Sequence, residues 1–258
     1  MDAVRVPEMA VLGQLPQTGP GRNPEPPDAT VMELVDHLAE LRRRLIIAIA
    51  AVAAGSVLGL VVAPTAIGIL KAPVPGPLRF TDLGGAFFIQ VKVAVVIGVM
   101  LSMPVILYQV WAFVSPGLTT DERRLARPWV PLALAFFVVG VVVAYVILPF
   151  ASGFLLGFSI PGVLDPLITA EAYFGFVTTL FLAFGLVMEF PIVLVLLAKV
   201  GILTSALLRR NRRVILVGIF VFAVVVTPGG DPVSPTVLGV VMYLLFELSI
   251  RLVAWTGR

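Results

Sequence analysis

Cysteine is absent from the 258 residues, and histidine occurs once, at His37. The first absence excludes disulfides and every cysteine-ligated metal. The second leaves no pair of imidazoles for a metal site. His37 stands before the first long apolar run, where an interfacial hydrogen-bonding role outweighs that of a ligand or base. Charge is scarce as well. Asp, Glu, Lys and Arg make up 13% of the chain and hydrophobic residues 59%, whereas a soluble domain carries roughly 25% charged residues. With a mean hydropathy of +1.07, the chain has too few charges to coat a water-facing surface and reads as lipid-embedded. No Gly-x-Ser-x-Gly elbow, His-Glu-x-x-His zinc helix or Walker loop occurs, so neither an enzyme nor a resident metal or cofactor is expected. Any transport then draws on an ion gradient or on partners.

A bilayer core about 30 Å thick needs roughly 20 apolar residues in helix. Six segments are candidates: Leu45 to Val62, continuing toward Leu70; Phe87 to Tyr108; Pro128 to Phe150; Ala172 to Ala198, interrupted by Glu189 and Pro191; Val214 to Val226; and Thr236 to Ala254. The fifth offers only about 20 Å of helix, so it calls for local bilayer thinning. The fifth and sixth read as a short hairpin joined by the Thr227-Pro228-Gly229-Gly230-Asp231-Pro232 turn. On length alone, four spans with a re-entrant pair fit nearly as well. Residues 1–30 are rich in Pro, Gly and polar side chains, carry no secretory signal and read as a disordered tail, ahead of a membrane domain over 31–254 and a polar end at 255–258.

The basic residues set the topology. Arg42, Arg43 and Arg44 precede the first span; Arg123, Arg124 and Arg127 follow the second; Arg209, Arg210, Arg212 and Arg213 follow the fourth; Arg251 and Arg258 end the chain. The other side holds only Lys71 and Arg79. Both termini are therefore expected in the cytoplasm, and an even span count favours six. The same placement explains the pI near 9.6 without nucleic acid, because the clusters sit at membrane edges and no aromatic-interleaved basic module is present.

Charges at membrane depth cost about 2.5–3.5 kcal/mol unless paired or wetted, which singles out Glu189. Gly185, Leu182, Thr178, Gly175 and Glu171 share its helical face, and small or polar residues there indicate a protein-facing or water-lined side. One reading is a protonated glutamate hydrogen-bonded for packing alone; the other is a docking point for a partner membrane helix. Two acidic clusters, Asp36 with Glu40 and Asp121 with Glu122, flank spans on the cytoplasmic side. Solvated turns explain them, yet a pair of carboxylates also suits a pair of guanidinium groups, which bind bidentately.

Several blocks taken together resemble the TatC family of twin-arginine protein translocases. They are His37-Leu38-Ala39-Glu40-Leu41-Arg42-Arg43-Arg44, Pro104 to Phe113 followed by Pro116-Gly117-Leu118 and Glu122-Arg123-Arg124, Phe184-Gly185 with Glu189 and Pro191, and Thr227-Pro228 with Asp231, Tyr243 and Glu247. They fall in the family's order over roughly residues 31–251. The resemblance implies an all-α integral membrane protein of the bacterial cytoplasmic membrane, a cupped bundle of six helices with the fifth and sixth short. It implies binding of twin-arginine signal peptides of folded precursors through Glu40, Arg42, Phe113 and Glu122. It implies Glu189 as a contact for the single-span proteins TatA and TatB, self-association into multimers, and export driven by the proton-motive force. Asp82, Phe87 and Asp231 resemble structural or periplasmic-side elements. The chain departs from the family pattern at the last external turn, where Gly229-Gly230 precede Asp231, and at Val241, often proline. A small secondary transporter using Glu189 and Glu171 is the rival, but 18 residues of helix part them, about 27 Å, too far for one ion site.

Overall fold

A computed structural model describes residues 27–117, 128–160, 162–164, 166–199, 201, 203–227 and 230–255. The chain divides into two units, Met1–Ala39 and Glu40–Arg258; the account below concerns the second. The helices are α1 (Pro27–Lys71), α2 (Gly85–Val114), α3 (Trp129–Leu156), α4 (Ala170–Val187), α5 (Phe190–Lys199), α6 (Ser205–Arg210), α7 (Arg212–Val226) and α8 (Val233–Trp255), with a 3₁₀ turn at Ser115–Gly117. Among the described residues, only isolated bridges represent β structure.

Lipid supplies no hydrogen-bond partners, so the chain satisfies its backbone within helices. Five helices among the described residues are long and apolar enough to cross a membrane, the segment Ala170–Ala198 being counted as one. With α7 they match the six segments expected, and α7, at 15 residues, is about 22 Å long and the short one. The sixth differs from expectation: α8 runs for 23 residues from Val233 and is not short. Pro235 does not stop it, because a proline in the first helical turn forfeits only an amide that has no intrahelical acceptor. Asp231 Oδ1 instead accepts the Ser234 amide at 2.7 Å and starts the helix.

The α1–α2 seam is built from small residues. A Cβ on Gly55 would come within 2.7 Å of the Gly98 carbonyl oxygen, and Ser102 Oγ donates across the seam to the Ala51 carbonyl at 2.7 Å. Such close backbone approach is how apolar helices gain van der Waals contact in lipid, where no hydrophobic drive exists. The fourth span is the most enclosed: 61% of its most apolar window is buried, against 11% for the first. It therefore forms the centre, with Phe174, Leu180 and Phe184 buried beside Leu148 of α3. α8 packs along α5 and α7.

At one end of the unit the α1–α2 and α3–α4 connections are stitched together. Arg79 N donates to the Ile168 carbonyl at 3.4 Å and Ala170 N donates to the Arg79 carbonyl at 2.7 Å. Tyr173 adds a hydroxyl bond to the Leu70 carbonyl at 2.5 Å, satisfying an orphan acceptor at the end of α1.

Candidate functional sites at Glu40 and Glu189

At the other end, the first turns of α1 in this unit meet the last turns of α2. Glu40 and Arg44 lie one turn apart and form an ion pair at 2.5 Å, with side chains 34% and 21% exposed. The order, acid before base at i and i+4, is the favourable one on a helix. Arg44 also donates to Gln109 Oε1 at 3.2 Å, tying the pair to α2. Phe113, half-buried, stands one turn beyond Gln109 on the same face of α2. Glu40 is thus placed where a guanidinium already docks. Arg42 is exposed and sits about 200° around α1 from Glu40, so the two do not share a face. Glu122, with Asp121, lies outside the described residues. The sequence reading missed Gln109, whose role depends on the packing of α1 on α2.

The second site is the break in the fourth span. α4 ends at Val187 and α5 begins at Phe190, because Pro191 lacks the amide that would continue the ladder. Glu189 N turns to the Leu186 carbonyl at 3.1 Å, and the Glu189 carbonyl accepts from Ile192 and Val193 at 3.0 and 3.1 Å. The carboxylate itself is buried, with 8% of the residue exposed, and neither oxygen meets a hydrogen-bond partner among the described residues.

The face that Glu189 shares is protein-facing at the turn before it. A Cβ on Gly185 would lie 2.7 Å from the Phe137 ring, and Thr178 Oγ1 bonds back to the Phe174 carbonyl at 2.6 Å. Glu171, in the first turn of α4, is exposed. An open apolar groove of about 480 Å³ instead lies on another side, between Leu186, Phe190 and Val193 and the α7 residues Ile215, Ile219 and Phe222.

A third constellation was not anticipated as a unit. Arg212 at the start of α7 donates to the Tyr243 hydroxyl at 2.5 Å, pairs with Glu247 at 2.5 Å and lies 5.8 Å from the Tyr243 ring centre. Tyr243 and Glu247 are one turn apart on α8, a spacing that marks a shared face; only the fold supplies Arg212. The remaining sites are simpler. Asp231 is buried and caps α8. Asp82 is exposed, its carbonyl accepting the Gly85 amide at 3.4 Å ahead of α2. Phe87 is exposed and meets Phe88 edge-on at 5.6 Å. Among the described residues no cluster of His, Asp and Glu has the makings of a metal site.

The family model of the Sec-independent protein translocase protein (TatC) matches residues 36–240. The Sec-independent protein translocase protein TatC of Escherichia coli K12 is 39% identical over 227 residues, covering 84% of this chain and 86% of that protein. TatC of Carboxydothermus hydrogenoformans is 34% identical, covering 85% and 91%. A crystal structure of a twin arginine translocase receptor, TatC, superposes with a TM-score of 0.74 at 34% identity, over 86% of this chain and all of that one. The family is a component of a protein translocase rather than a catalytic enzyme. The chain, a multi-pass bacterial membrane protein, belongs to the TatC family.

Proposed function

We propose that this translocase subunit binds twin-arginine signal peptides of folded precursors at its Glu40 end and nucleates assembly with TatA and TatB, with export driven by the proton-motive force. The observation that carries this reading is the Glu40–Arg44–Gln109 arrangement. A carboxylate one-third exposed on α1 already holds a guanidinium, and an incoming arginine competes for it through the same planar fork. Phe113, on the same face of α2 as Gln109, offers an apolar flank for the peptide, and Glu122 the second carboxylate. Arg42, turned away from Glu40, serves the cytoplasmic headgroup layer or the far side of the peptide. Both termini are placed in the cytoplasm by the arginine bias across the spans. Glu189, whose carboxylate has no partner among the described residues, is the contact for a polar group on a TatA or TatB helix. Self-association into multimers belongs to the same assembly.

The test is photocrosslinking of a twin-arginine peptide from a photoreactive residue at position 113, in chains carrying Glu40→Gln or Glu122→Gln. Crosslinking that needs the arginine pair and drops in both variants supports the receptor reading. Equal crosslinking of a twin-lysine peptide, unchanged by either variant, removes it.

A further inference from the structure

The connection between α3 and α4 exposes large apolar side chains that no helix covers. Phe158 is 67% exposed, Val163 and Leu167 75% each, and Ile160 and Leu164 more than half. Ile160 N donates to the Leu164 carbonyl at 3.2 Å, and Leu164 N donates to the Ile160 carbonyl at 2.7 Å. Residues 151–171 contain no Lys, Arg or His. A loop in water normally carries polar side chains, and a contiguous apolar patch marks an interaction surface.

What covers the patch follows from its continuity. Phe150, on α3, is 66% exposed, and Phe154 and Phe158 stack edge to face at 5.1 Å, so the exposed apolar side of α3, the side that a membrane span presents to lipid, runs on into the loop. α3 has 28 residues, about 42 Å of helix, longer than the roughly 30 Å core. Its last turns therefore reach the interfacial layer, where an apolar loop can lie along the membrane. The backbone stitch between Arg79 and Ile168 sets a cation beside the loop, and Lys71 ends α1 at the same side. Apolar contact below and basic side chains reaching phosphates above is the composition of an interfacial anchor.

We propose that Phe158, Ile160, Val163, Leu164 and Leu167 are immersed in the headgroup–acyl boundary of the leaflet at the Lys71 end, a lipid-binding anchor that fixes the depth of this end of the bundle. The proposal rests on the chain spanning a membrane and is independent of how signal peptides bind.

The absence of cysteine makes the test direct. Leu164→Cys and, separately, Val163→Cys are labelled with an environment-sensitive fluorophore, both positions being exposed. The full chain is reconstituted in phosphatidylglycerol–phosphatidylethanolamine vesicles. Blue-shifted emission, lost on adding lipids spin-labelled near the headgroup and retained in iodide, is the expected result. Water-like emission quenched by iodide overturns the proposal. Blue-shifted emission insensitive to every spin-labelled lipid also overturns it, and assigns the patch to a protein interface.

Discussion

Glu40, where α1 meets α2, and Glu189, at the break between α4 and α5, carry the same carboxylate in opposite settings. Glu40 is partly exposed and paired with Arg44; Glu189 is buried and bonded to nothing among the described residues. An exposed i,i+4 pair contributes about 0.3–0.5 kcal/mol, so Glu40 can exchange its partner at little cost. A buried acceptor left unsatisfied costs about 1–3 kcal/mol, which leaves Glu189 a net destabilising group until something joins it. Under the proposed function, the difference is that between a site suited to turnover and one suited to association.

Three substitutions sharpen that contrast. The largest effect is expected from Gly98→Leu, because even a Cβ there would overlap the Ser56 backbone of α1. Overpacking of this kind costs about 1–3 kcal/mol or more, and the helices must part, carrying Gln109 away from Arg44. Thermal unfolding in detergent should fall by several degrees, with loss of peptide crosslinking at position 113. An unchanged melting temperature would show that the seam is not tight. Glu189→Leu should act in the other direction, stabilising the isolated chain by about 1–3 kcal/mol as the orphan carboxylate is removed. Peptide crosslinking stays intact while co-purification with TatA or TatB falls. A drop in melting temperature would mean that the carboxylate is satisfied within the chain.

The smallest effect belongs to Arg44→Gln. Loss of a partly exposed pair should change stability by at most about 0.5 kcal/mol, while peptide crosslinking rises, since an incoming arginine no longer displaces Arg44. Weakening as severe as that of Glu40→Gln would make Arg44 part of the receptor instead of a competitor.

The spans were legible in the sequence because lipid forces long apolar runs, and the break at Glu189 because proline cannot donate. The Glu40–Arg44 spacing could be read from the helical period, but Gln109 and Arg212 could not, since their partners lie on other helices. The seam at Gly55, Gly59 and Gly98 stayed hidden for a similar reason: a glycine inside an apolar run gains meaning only when the facing helix is known. The expected sixth segment began at Thr236 because hydropathy marks the apolar run and not the helix start; α8 begins at Val233, three residues earlier, under the Asp231 cap.

The stitch between residue 79 and residues 168 and 170 consists of main-chain atoms alone. Its hydrogen bonds are therefore indifferent to which side chains these residues carry, provided that a replacement fits around the buried Ala170. Only proline at 79 or 170, which deletes a donating amide, undoes it. These main-chain bonds tolerate drift in sequence, whereas the Glu40 end, held by side chains, changes its behaviour with each substitution.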